Sequence, residues 1–139
     1  MRIPARLPMS VVSIAWLMFV ASFFLPATGS SAAPENGWQT FVASIELLLL
    51  IPWNIAIGPS IFLFMLFPFF NLAMLLAPRR LADWNAEITA VGFLCGGSLP
   101  WLIPRNVSEQ LFVGFYLWDA SFFVMAIGCI LLSILRNQD

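Results

Sequence analysis

The sequence predicts an all-α integral membrane protein, a bundle of four transmembrane helices with a short interfacial helix between the first and second. Three observations predict it. Of the 139 residues 61% are hydrophobic and 9% charged, whereas a soluble domain is roughly half apolar and about a quarter charged. The mean hydropathy is +0.94. Charge-free runs recur at close to the length of about 20 residues that a helix needs to cross a hydrocarbon core of about 30 Å.

The first span, about 9–25, follows Arg2 and Arg6 and stops at Pro26, ahead of a connection rich in Ala, Ser, Gly and Pro. A cleaved leader competes for this segment, because two arginines, an apolar stretch and small residues fit that template. Pro34 follows the small pair Ala32-Ala33 unfavourably for cleavage, and the expectation is a retained helix. The second span, about 60–77, is opened by Pro59 and closed by Arg79-Arg80. Within it Pro68 removes a backbone donor and predicts a kink that Asn71 helps to resolve. The third span, about 88–103, ends at Pro100 and Pro104, and the fourth, about 111–135, precedes a short polar tail. Asn106 with Glu109 has the form of a capping box at the start of that last helix.

Arginine placement orients the spans, since basic residues of short loops stay in the cytoplasm. Arg2, Arg6, Arg79, Arg80 and Arg136 mark the inner side, and both termini are expected there. The connection of about 26–45 holds no basic residue and belongs outside. An even number of crossings must then separate Arg6 from Arg79. The apolar stretch of about 38–51, which carries Glu46 and is broken by Pro52, is therefore read as an interfacial helix rather than a span. Trp38, Trp53, Trp101, Tyr116 and Trp118 fall near the outer boundary, where amphipathic rings are favoured, and Trp16 lies deep in the first helix.

Composition excludes most chemistry. There is no His and no Lys, so the chain lacks Ser-His-Asp and Cys-His machinery, imidazole metal ligands, Schiff-base lysines and a P-loop lysine. A net charge of −1 without a basic block gives no footprint for nucleic acid. Cys95 and Cys129 lie in apolar runs and read as buried, reduced thiols at similar depth in neighbouring helices, not as a redox pair or a metal site. No cofactor and no enzymatic activity are expected.

Polar residues at membrane depth are where function is sought, because each costs free energy unless paired or wet. Asp119 leads. It is expected about 5 Å below the outer edge of the hydrocarbon, as an anchor reaching interfacial water or Arg105 or, alternatively, as a proton or cation site facing a polar cavity. Glu46, Arg105, Tyr116 and Asp119 belong to the same outer layer and form the candidate polar cluster. Gly92 and Gly96 make a GxxxG, extended by Gly97, that lets a neighbouring helix approach closely.

The stretch Gly114-Phe115-Tyr116-Leu117-Trp118-Asp119-Ala120-Ser121, with Phe24-Leu25-Pro26 and Gly37-Trp38, resembles uncharacterised small bacterial four-helix inner-membrane proteins. Those proteins open their last helix with a Gly-aromatic-Tyr-Leu-Trp-x-x-Ser stretch. Asp119 departs from the pattern, which has an apolar residue there. The resemblance implies a bacterial inner membrane location and carries no activity. Three function classes remain in view: first an accessory or assembly subunit whose partners are the lipid bilayer and other membrane subunits or further copies of itself, second a small oligomeric transporter or channel using Asp119 and/or Glu46 as a proton or cation site, and last a membrane enzyme limited to Asp, Glu, Arg, Tyr, Ser or Cys chemistry.

Overall fold

Helix answers the problem that an apolar chain poses, because its N–H and C=O groups pair within one segment. A computed structural model describes residues 6–30, 32–50, 66–81, 84–102 and 111–138. In chain order these form α1 (Arg6–Ser22), β1 (Pro26–Ser30), β2 (Ala33–Asn36), α2 (Gly37–Leu50), α3 (Phe67–Arg80), α4 (Ala86–Leu102) and α5 (Val113–Arg136).

The four-span bundle does not hold. The 17 residues of α1, 14 of α3 and 17 of α4 rise only about 26, 21 and 26 Å at 1.5 Å per residue, short of a core of about 30 Å. Only α5, with 24 residues, is long and apolar enough to cross a membrane among the described residues. The multi-pass, all-α description is therefore corrected to a mostly helical chain with one membrane-length helix and a small sheet.

Local chemistry shows why the elements are bounded where they are. Pro68 stands in the first turn of α3, where a missing N–H costs nothing, so it starts the described helix instead of kinking one. Asn85 caps α4, its Oδ1 accepting from the backbone N–H of Glu87 at 3.0 Å and of Ile88 at 3.1 Å. At the start of α2 the backbone N–H of Asn36 donates to Gln39 Oε1 at 2.7 Å, the back half of a capping box. Beyond α1 the chain read as a loose connection is an antiparallel hairpin, with Thr28 opposite Glu35 and Ser30 opposite Ala33. Gly29 sits there at φ 112°, and a Cβ on it would stand 2.7 Å from the Ala33 carbonyl oxygen.

Helix α5 is the axis of the packing. Phe19 of α1 meets Phe122 edge to face at 6.2 Å, Val12 lies against Gly128, and the Leu25 and Pro26 carbonyls lie against Gly114, so α1 runs antiparallel to α5. Helix α4 is also antiparallel, since Ser133 donates to Glu87 at 2.9 Å near one end and Trp101 to Asp119 at 3.1 Å near the other. Helix α3 runs parallel to it. Asn71 meets Trp118, and Arg136 donates to the carbonyls of Leu81 at 3.2 Å and Trp84 at 3.3 Å just past the end of α3. The buried centre comprises Val12, Ala15, Phe19, Met74, Ala77, Phe93, Phe122, Met125, Ala126 and Cys129, with the half-buried Trp16 packed against it.

Glycines set how closely the helices approach, and the expected pair is only half involved. A Cβ on Gly96 would meet the Phe70 ring at 2.8 Å and one on Gly97 the Phe123 ring at 3.0 Å, whereas Gly92 faces open space. Gly92 therefore makes no helix contact among the described residues. Gly114 and Gly128, neither of them read as a packing position in the sequence, hold close approaches of α1 and its following turn to α5.

Outside this centre the helices stay apolar. Leu17, Phe24, Phe69, Ile88, Leu102 and Ile127 are all more than half exposed.

Candidate functional site: a buried polar layer

One level of the bundle holds its buried polar side chains, Ser22 from α1, Asn71 from α3, and Asp119 and Ser121 from α5. The register set by Phe19 against Phe122 brings Ser22 to the height of Asp119. Both serines are satisfied within their own helices, Ser22 Oγ donating to the Phe19 carbonyl at 2.6 Å and Ser121 Oγ to the Trp118 carbonyl at 2.5 Å. Asn71 is held from α5, its Oδ1 accepting the indole N–H of Trp118 at 2.7 Å.

Asp119 is the unusual member. It is 6% exposed. Its Oδ2 accepts the indole N–H of Trp101 at 3.1 Å, and its buried Oδ1 has no hydrogen-bond partner among the described residues. Asp119, expected as an anchor at the outer hydrocarbon edge, is an enclosed carboxyl group held by a tryptophan of α4, and its expected partner Arg105 lies outside the described residues. Aromatic rings surround the layer: Trp118 contacts Phe122 at 4.8 Å, Phe67 at 5.6 Å and Phe115 at 6.0 Å.

The two other described members of the candidate cluster do not join it. Glu46 is exposed on α2, and Tyr116, one turn before Asp119, is 48% exposed with its ring against Phe115. Neither is a hydrogen-bond partner of Asp119. Arg105 lies outside the described residues, as do Trp53 and the Asn106–Glu109 capping pair. Cys95 is exposed on α4 while Cys129 is buried, so the expectation of two buried thiols holds for one only, and both are free.

Sequence reasoning missed the Trp101–Asp119 and Asn71–Trp118 pairs. A signal for the first exists. Positions 101 and 119 share a midpoint in the sequence with the bonded pair 87 and 133, as required of two antiparallel helices about one connection.

Chemically, the layer offers a carboxyl group in apolar surroundings with one neutral donor and one unoccupied oxygen. Among the described residues no group of three or more His, Cys, Asp or Glu is placed to hold a metal ion. No protein-family model, curated protein or solved structure matches the chain.

Proposed function

We propose that this chain is a small membrane-embedded accessory or assembly subunit, anchored by α5 and binding larger membrane subunits through the apolar outer faces of its shorter helices. One observation carries the reading. After the centre is packed, large apolar side chains still line the outward faces of α1, α3, α4 and α5, among them Leu17, Phe69, Ile88 and Ile127. Soluble monomers rarely leave apolar patches beyond a few hundred Å² uncovered. Lipid and apolar protein surfaces both cover such faces, and α5, rising about 36 Å, is long enough to hold the chain in a bilayer.

Charge supports an orientation within this proposal. Helix directions put Arg6, Arg79, Arg80 and Arg136 at one end of the bundle. The exposed rings of Trp38, Trp101 and Tyr116 lie at the other. For α5, the one helix of membrane length among the described residues, the Arg136 end faces the cytoplasm under the rule for basic residues and the Tyr116 end meets the opposite interface. The membrane is the bacterial inner membrane implied by the resemblance of residues 114–121.

The reading needs no chemistry that a chain without His or Lys lacks. Its test is extraction followed by purification. The chain should stay in the membrane pellet through alkaline carbonate washing and leave it, in mild detergent, in fixed stoichiometry with a larger membrane protein. Release by carbonate contradicts the anchor, and purification of the chain alone contradicts the accessory role.

A further inference from the structure

We propose that Asp119 is a proton-holding site: Oδ1 carries a proton, and Oδ2 is the carbonyl oxygen that accepts the indole N–H of Trp101. This does not depend on the accessory role. The carboxyl group is 6% exposed and its Oδ1 is enclosed without a partner among the described residues, while Oδ2 has one neutral donor at 3.1 Å. An ionised carboxylate there would leave a full charge in apolar surroundings with a single uncharged donor, which costs far more than an unpaired neutral hydroxyl.

Among the described residues no charged side chain on the packed elements offsets it. Arg6 of α1, Arg79 and Arg80 of α3, Glu87 of α4 and Arg136 of α5 belong to the opposite end, the last about 26 Å away along the helix. Glu35 of β2 and Glu46 of α2 are acidic and exposed, and offer no compensating charge. A metal ion needs several ligands converging on it, and the described residues place no such acidic, thiol or imidazole group together. A proton needs neither ligands nor room. It is taken from a hydronium ion of the aqueous phase, whose O–H bond breaks as the Oδ1–H bond forms, leaving a carboxylic acid and a water molecule.

Asp119→Asn then becomes the isostere of the protonated acid, and Trp101→Phe removes the donor while keeping a ring. Infrared difference spectra of the full chain in lipid vesicles at pH 7 test the assignment. The unsubstituted chain minus Asp119→Asn should show the carbonyl stretch of a protonated carboxylic acid, and Trp101→Phe should shift that band upward as the hydrogen bond is lost. Should Asp119→Asn fail to assemble, the unsubstituted chain with 13C-labelled aspartate serves instead, since one of its three aspartates must then stay protonated at pH 7. A carboxylate signal in place of the acid band, or three ionised aspartates in the labelled chain, overturns the proposal.

Discussion

Gly114→Ala places one methyl group where two backbone carbonyls already stand. The added Cβ would lie 2.6 Å from the Pro26 oxygen and 2.7 Å from the Leu25 oxygen, well inside van der Waals contact. Neither carbonyl belongs to a flexible side chain that can step aside. The Leu25 carbonyl accepts from the N–H of Gly37 at 3.1 Å, and the neighbouring Ala27 carbonyl accepts from the N–H of Phe112 at 3.0 Å, so the strand, the start of α2 and the start of α5 are tied together. Relief requires α5 to move off the hairpin. Overpacking of this kind costs about 1–3 kcal/mol, and the better helix propensity of Ala returns about 0.5–1 kcal/mol of it. A net loss of up to about 2.5 kcal/mol follows from the difference. Gly92→Ala is the matched control, because nothing lies within 4 Å of its added Cβ, and it should gain about 0.5–1 kcal/mol. Reversible unfolding in mixed micelles should rank Gly92→Ala above the unsubstituted chain and Gly114→Ala below it. A Gly114→Ala chain as stable as the Gly92→Ala chain would refute the packing described for α5.

Trp118→Phe keeps a ring against Phe122 but leaves the buried Asn71 Oδ1 without its donor, and should lower unfolding free energy by about 1–3 kcal/mol in the same assay. Arg136→Gln loses the guanidinium bonds to the Leu81 and Trp84 carbonyls, and amide exchange at Leu81 and Trp84 should rise as the end of α3 loosens. Maleimide should label the exposed Cys95 readily in detergent and the buried Cys129 only after denaturation; equal labelling of both in the folded chain would contradict the placement of α5.

Where helix would form was legible, because apolar runs bounded by Pro, Asn and Arg mark it directly. Where each helix begins and ends was not, although the expected lengths of α1 and α4 lie within one residue of the 17 observed for each. A charge-free run records hydrophobicity without recording its breaks: Pro68 opens the described part of α3 at Phe67, short of the full run, and Asn85 caps α4 two residues before the expected start. The hairpin was illegible for a different reason. Pro26–Ser30 and Ala33–Asn36 have no alternating apolar pattern. Their pairing lies against α2 and α5 and depends on neighbours remote in sequence, such as Phe112 donating to Ala27.

In the candidate site, Asp119 was visible as a lone acid in an apolar helix, while its environment was not. The donor among the described residues is Trp101, eighteen residues away and brought opposite by the antiparallel register, while the expected partner Arg105 lies outside the described residues. Glycine spacing misled similarly. GxxxG names two positions on one face, but helix rotation turns Gly92 outward and brings Gly114 and Gly128 against α1 and the turn after it.

Native mass measurement of the assembly released from membranes in mild detergent tests the accessory role most directly. The account predicts that the chain, 15.5 kDa alone, is found in a larger complex at fixed stoichiometry with at least one different membrane subunit. A monomer, or an assembly built only of copies of this chain, would contradict it.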